Sequence, residues 1–403
     1  MANRLASLPR EVRPPRDARA APGATLAVTR LSLSAFRCYE QLRLDVEPLS
    51  VVLTGPNGAG KTNLLEALSF LAPGRGLRRA HLGEPDRRDA AGRITGAWAV
   101  AAVLATPAGP LGIGTGRDAT RDGEGAPERR IVRIDGMAQS AQKHLAEQAS
   151  VVWLTPEMDR LFADGPASRR RFLDRMVYGF DPEHTSRLVA YDHRLRERAR
   201  LLAEGAADPA WLEALEDGMS AHGVAIAAAR AQVAARLDRA GANGVGAFPR
   251  ARLAMSGELD RWLAEGPALA AEDRLRERLA RSRERDAEEG GAAAGPHRSD
   301  FQVRYAEREQ PAAACSTGEQ KALLLSILLA LGRELAAERG RPPLLLLDEV
   351  VAHLDAQRRA ALYEELAALG VQAWLTGTDD ELFAGLQSRA QFFRVTNGMV
   401  VPR

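Results

Sequence analysis

Three glycines, a lysine and a threonine stand at a spacing that binds phosphate. In VVLTGPNGAGKTNLL, residues 51–65, Gly55, Gly58 and Gly60 lead into Lys61 and Thr62, the pattern G-x-x-x-x-G-K-[ST]. Glycines let backbone N–H groups turn inward around phosphate oxygens where a Cβ would clash. Lys61 brings a point charge to the β- and γ-phosphates, and Thr62 offers a hydroxyl to Mg²⁺. The candidate binding segment is the whole loop: Gly55, Pro56, Asn57, Gly58, Ala59, Gly60, Lys61, Thr62 and Asn63.

Two acids complete a hydrolytic chemistry. The run Leu344–Leu347 ends in Asp348 and Glu349. Asp348, at the carboxyl end of a buried strand, can hold Mg²⁺ opposite Thr62, and Glu349 is placed to orient or deprotonate an attacking water. Many strands end in acids, so the pair gains its meaning from the phosphate loop far upstream. Between them, Ser316-Thr317-Gly318-Glu319-Gln320-Lys321 opens a helix. A serine and a glycine at a helix N-terminus make an anion site, although a serine there is also an ordinary cap. The order is phosphate loop, long insertion, serine-glycine motif, Asp-Glu strand, then Leu354-Asp355. It resembles the layout of ABC-type ATPases, which implies ATP with Mg²⁺, a head-to-head dimer, Ser316 and Gly318 on the partner's γ-phosphate, and Asp355 in a loop crossing the interface. Thr376 or Thr378, after the next strand, stands where that class carries its switch residue.

The elements that must position these groups follow from periodicity. Val51, Val52 and Leu53 form a short run suited to a strand covered on both faces. LAVTRLSLSAF and QLRLDV alternate as half-buried strands around FRCYE. A helix is expected over 63–71, a basic glycine-rich loop over 74–79, a hairpin from 93–104 and 111–114, strands at 129–135 and at VVWL, and a helix over 166–179. From 181 to 293 the chain is rich in Ala, Arg, Leu and Glu at helical spacing. It is broken at 205–209, 241–249 and 266–267, and reads as a helical arm of three or four helices with one strand at 251–255. No heptad is sustained enough for a long coiled coil. Compact structure resumes with FQVRY, a long apolar helix, LLLLDE, a helix over 356–369, VQAWLT and a final strand pair. The expected domains are a basic tail over 1–24, a first lobe over 25–180, the arm over 181–293 and a second lobe over 294–403.

Composition bounds the rest. The chain has 403 residues, is 45% hydrophobic and 27% charged, and carries a net charge of only +2. A packed protein is expected, and any nucleic-acid surface must be a local patch. No apolar run reaches membrane-spanning length. The two cysteines, Cys38 and Cys315, suggest free thiols in a reducing cytoplasm and not a disulfide framework.

The wording resembles one family, the bacterial RecF recombination mediators, relatives of the SMC heads, over roughly Leu26 to Val400. The resemblance rests on LSLSAFRCYEQLRLDV, GPNGAGKTNLLEAL, TPEMDRLFADGPASRRRFLD, GPHRSDF, STGEQK, LLLLDEVVAHLD and TGTD. It implies an α/β ABC-type P-loop ATPase head, a mixed sheet plus an antiparallel β lobe, with an inserted α-helical arm. It also implies an ATP-dependent homodimer that binds DNA at gaps or junctions without reading sequence, works with RecR and RecO, and helps RecA load in gap repair and SOS induction, with slow hydrolysis as a reset. Candidate phosphate contacts on DNA are Arg75, Arg78, Arg79, Arg169, Arg170 and Arg171. Ser299 stands where the family pattern leads one to expect an acid, the tail has no counterpart, and Gln148 is the candidate for the glutamine loop. A transporter ATPase subunit and a chromosome-organising head are the alternatives. The first should lack TPE…RRRFLD and have a shorter insertion, and the second should carry long heptads.

Overall fold

The computed structural model describes residues 26–118, 129–205, 208–242, 244 and 246–403. The expected tail, 1–24, lies outside the described residues. The chain divides into two compact units: Met1–Met158 with Gly246–Phe248 and Gly332–Arg403, and Asp159–Val245 with Pro249–Leu331.

The first unit holds two six-stranded sheets. One is antiparallel throughout, in the order β2-β1-β4-β5-β6-β7. It is built from β1 (Ala27–Phe36), β2 (Tyr39–Asp45), β4 (Ala99–Thr106), β5 (Gly109–Arg117), β6 (Arg130–Ile134) and β7 (Met137–Gln139). The other runs β15-β14-β3-β13-β12-β8. Its strands are β3 (Ser50–Thr54), β8 (Val151–Leu154), β12 (Leu344–Leu347), β13 (Ala373–Gly377), β14 (Ala390–Thr396) and β15 (Met399–Pro402). All its pairings are parallel except β14 with β15. Every residue of β3, β8, β12 and β13 is buried, which is why they read as continuous apolar runs and not as alternations. Helix α1 (Lys61–Ser69) sends Leu64, Leu65 and Leu68 into a core shared with Leu31 and Leu33 of one sheet and Val51, Leu53 and Trp374 of the other. Helices α2 (Lys143–Gln148) and α10 (Ala356–Leu369) complete the unit.

The second unit holds α3 (Pro166–Val177), α4 (His184–Glu204), α5 (Pro209–Gly241), α6 (Glu258–Glu265), α7 (Ala268–Arg281) and α8 (Arg283–Glu289), with β11 (Gln310–Pro311), β10 (Asp300–Tyr305) and β9 (Ala251–Ser256) forming a sheet in the order β11-β10-β9. Helix α9 (Thr317–Arg339) begins in this unit. Among the described residues, five helices lie in the stretch expected to hold three or four, because Gly266-Pro267 and Ser282 cut its last part into α6, α7 and α8. Strand β9 (Ala251–Ser256) pairs with β10 (Asp300–Tyr305), Val303 against Leu253. The half-buried pattern of β9 needs a partner to satisfy its backbone, and FQVRY, expected in the second lobe, provides it. The compact unit is therefore wider than the expected arm at both ends. Tyr191, Met219, Ile226, Leu275 and Leu279 pack its apolar centre. Beside it the fully buried guanidinium of Arg198 meets Glu216 at 2.9 Å and Asp286 at 2.8 Å.

Candidate nucleotide site

Strand β3 ends at Thr54, and the chain turns so tightly beside β14 that a Cβ on Gly55 would stand 2.1 Å from the Val395 carbonyl oxygen. Gly60 caps α1 in a left-handed conformation, φ 112. A Cβ there would meet the Tyr39 hydroxyl at 2.7 Å and Cys38 Sγ at 2.9 Å. Both glycines are thus fixed by close approach as well as by φ. The turn that joins β1 and β2 leans on this loop. Tyr39 donates to the Gly60 carbonyl at 3.1 Å, and Asn63 Nδ2 reaches Cys38 Sγ at 3.2 Å. On the other side the Gly398 N–H, in the β14–β15 turn, donates to the Ala59 carbonyl at 3.1 Å. Pro56, Asn57 and Gly58 form the exposed crest.

Lys61 is buried, and its Nζ donates to the carbonyls of Gly55 at 2.7 Å and Pro56 at 2.9 Å. Burial pushes its pKa down, against the pull of the Glu349 and Asp348 carboxylates. At the end of β12, Asp348 Oδ1 accepts from two hydroxyls, Thr376 Oγ1 at 2.7 Å and Thr62 Oγ1 at 3.1 Å. Burial raises its pKa, and the two hydroxyls oppose that rise. The Glu349 N–H donates to Thr376 Oγ1 at 2.9 Å, with Glu349 at φ 52. Sequence-distant Lys61, Thr62, Asp348, Glu349 and Thr376 are therefore brought together at the carboxyl ends of adjacent parallel strands. The set fits a triphosphate and Mg²⁺: the glycines leave no room for side chains where the loop turns, and a hydroxyl and a carboxylate oxygen already converge where the ion would be shared. Thr378 lies past the end of β13 and is exposed.

Several expected residues have other occupations. Gln148 ends α2 ahead of Val151, at the amino end of β8. The acids sit at the carboxyl ends, since Leu347 pairs with Leu154 in parallel register. Gln148 is thus at the wrong end of the strand for a glutamine loop. Arg78 donates to Asn63 Oδ1 at 2.8 Å and to Glu66 at 3.0 Å. Buried Glu66 also takes both arms of Arg37, at 2.9 and 2.6 Å. Arg75 Nε donates to the Ala80 carbonyl at 3.0 Å, and Arg79 is left-handed at φ 56. Arg37, Tyr39 and Glu66 were not singled out by sequence, and Cys38 was singled out only as a free thiol. An acid on the apolar face of LLEAL was the available signal, because a buried carboxylate requires a partner.

In the second unit, Ser316 and Glu319 cap α9 reciprocally. Ser316 N–H and Oγ each donate to Glu319 Oε2 at 2.9 Å, and the Glu319 N–H points back to Ser316 Oγ at 3.4 Å, a capping box. Gly318 has open space around its Cβ position. In the first unit Asp355 caps α10, accepting from the Arg358 N–H at 2.8 Å. Arg169 grips Asp300 with two bonds, 2.8 and 3.0 Å, and also the Phe162 and Asp164 carbonyls. Arg170 donates to the Ser299 carbonyl at 2.6 Å, and Arg171 to Ser168 Oγ at 2.8 Å. Arg169 and Arg170 are thus tied to neighbours within their own unit.

The family model described as RecF/RecN/SMC N terminal domain matches residues 27–400. A DNA replication and repair protein RecF of Mesorhizobium japonicum is 47% identical over 379 residues, covering 93% of this chain and 97% of its own length. One from Caulobacter vibrioides is 46% identical over 382 residues, covering 92% and 97%. A solved structure of the recombination mediator protein RecF-ATPrS in the RecFOR pathway has a TM-score of 0.80 at 20% identity, covering 94% of this chain and 100% of that one. An Smc head bound to the winged-helix domain of ScpA has a TM-score of 0.51 at 15% identity, covering 94% and 97%. No helix among the described residues is long and apolar enough to cross a membrane.

Proposed function

This chain belongs to the RecF family, and from that premise we propose that it is an ATP-operated DNA-binding protein of replication and repair. The observation that carries the reading is the convergence of Lys61, Thr62, Asp348 and Glu349 at one end of a parallel sheet. The relatives named as DNA replication and repair proteins, at 46% and 47% identity over nearly their whole length, support the biological side. Mg²⁺, when bound, would neutralise phosphate charge. The chain's own residues do the rest. The loop glycines present N–H groups to phosphate, Lys61 exchanges its two carbonyl partners for phosphate oxygens, Thr62 and Asp348 hold the ion, and Glu349 takes a proton from water. ATP binding would close a homodimer in which Ser316 and Gly318 meet the partner's nucleotide and Asp355 crosses the interface. The closed dimer would bind DNA backbone at gaps or junctions, act with RecR and RecO, help RecA load, and take part in SOS induction. Slow hydrolysis reopens it, so the dimer interface is the bistable element.

The test pairs two variants. Lys61→Met is expected to lose ATP binding and ATP-dependent dimerisation together. Glu349→Gln is expected to bind ATP and accumulate dimers while turnover falls about a hundredfold or more. Equal ATP affinity and equal dimerisation in wild type and Lys61→Met would overturn the reading.

A further inference from the structure

We propose that Thr376 is the positioning residue for both acids of the nucleotide site, one hydroxyl fixing the side chain of Asp348 and the backbone of Glu349, and is not a sensor of the γ-phosphate. The consequences for turnover rest on the ATPase reading; the positioning itself does not.

Register puts the residue there. Leu375 pairs with Leu347 in the parallel β13–β12 ladder, so Thr376 is one step beyond the last apolar pair and Asp348 is its neighbour. On its other side β13 pairs with β3, Thr376 against Leu53, so the same residue lies between the strand that feeds the phosphate loop and the strand that ends in the acids. Thr376 is fully buried. A hydroxyl has one proton to give, and this one is given to Asp348 Oδ1 at 2.7 Å. Its acceptor side is taken by the Glu349 N–H at 2.9 Å. A phosphate oxygen needs a donor, and the donor is spent.

The second bond falls where the backbone needs it. Glu349 adopts φ 52, a left-handed conformation that a residue with a Cβ keeps only when its surroundings impose it. The N–H that anchors this conformation ends on Thr376. The first bond acts on the carboxylate. Thr376 and Thr62 both donate to Oδ1 of Asp348, which sets the plane of the carboxyl group and leaves Oδ2 on the other side. Threonine suits the task because two heavy atoms on Cβ restrict χ1. A serine in the same place keeps both bonds with a looser rotamer. Thr378, exposed beyond the strand, has no such commitment and is the residue of the pair that can address a phosphate.

The test compares the full-length wild type with Thr376→Val, which keeps shape and removes both bonds, and Thr376→Ser, which keeps both. Without nucleotide, hydrogen exchange at the Glu349 amide is expected to speed up about tenfold in Thr376→Val, the loss of one hydrogen bond, and to stay near wild type in Thr376→Ser. With ATP and Mg²⁺, Thr376→Val is expected to lose kcat by about tenfold or more with KM changed less than about threefold, and Thr376→Ser to recover most of it. Thr376→Cys, a weaker hydrogen bonder of similar size, serves if the valine variant does not fold, with the same expected direction. Unchanged Glu349 exchange in the valine or cysteine variant overturns the proposal. So does a raised KM with kcat intact, the mark of a direct phosphate contact. If the wild type itself turns over no ATP and Lys61→Met binds it normally, the ATPase reading fails, and the exchange result still decides the role of Thr376.

Discussion

At the scale of single residues, charge bookkeeping separates contacts that serve the site from contacts that hold the fold. Glu66 is one buried carboxylate facing two guanidinium groups, Arg37 and Arg78. Glu66→Gln leaves both cations without their counter-charge, and a loss of about 2–4 kcal/mol is expected, read as a lowered melting temperature. Arg78 stood out in the sequence as a cation in a glycine-rich loop suited to DNA. Its partners, Asn63 and Glu66, lie on α1 beside the phosphate loop, and its charge also acts on Asp348. Arg78→Ala is therefore expected to lower stability and weaken ATP binding, while the slope of log Kd for DNA against log salt stays unchanged. A slope flattened by about one would return Arg78 to the DNA footprint. The phosphate loop and the Asp-Glu pair were legible because their chemistry is written in fixed local spacing. The partner of Arg169 was not, because Asp300 lies 131 residues downstream and nothing local announces it.

At the scale of elements, strand register and loop anchoring decide what local pattern cannot. The strands of the parallel sheet were readable as apolar runs, yet their order placed Gln148 at the amino end of β8 and Thr376 beside Asp348. The strand at 251–255 and the strand FQVRY were each readable, but their pairing as β9 and β10 was not, since pairing is non-local. The GPHRSD segment shows the same in side chains. His297 Nε2 donates to the Ala292 carbonyl at 3.0 Å, and Nδ1 of the neutral ring accepts from the Tyr191 hydroxyl on α4 at 2.8 Å. Burial lowers its pKa from 6.5 to about 4. The unfolded chain then takes up a proton that the folded chain refuses. Stability from this residue is complete above about pH 6.5 and falls as pH drops toward 4, by about 1.4 kcal/mol for each pH unit between the two values. Thermal melts at pH 7 and pH 5 are expected to show this loss. His297→Gln is expected to be less stable at pH 7 and to melt with a flatter pH dependence. An equal slope in the variant would assign the acid sensitivity to another group.

At the scale of the whole molecule, the chain leaves the first compact unit after Met158 and returns to it for good at Gly332, so the Asp-Glu pair that meets the phosphate loop comes from sequence beyond the second unit. Ser316 belongs to that second unit, and within one chain its hydroxyl does a cap's work on Glu319. Two expectations follow, and they differ in kind. If capping is its whole role, Ser316→Arg costs about 1 kcal/mol of stability and leaves dimerisation and turnover in place. If Ser316 and the α9 N-terminus meet the nucleotide of a second copy, as proposed above, the substitution puts a long side chain into that interface while the variant's own phosphate loop stays intact. The expected outcome is near-normal ATP binding by the monomer, with ATP-dependent dimerisation and hydrolysis lost. Mixing with Lys61→Met sharpens the test. A mixed dimer has at most one competent composite site, made from the loop of the Ser316→Arg chain and the serine of the Lys61→Met chain, so partial turnover should return on mixing although neither variant hydrolyses alone. Thermal melting beside a sizing run with ATP distinguishes the two roles, and a Ser316→Arg dimer that forms at wild-type ATP concentrations rules out the contact in trans.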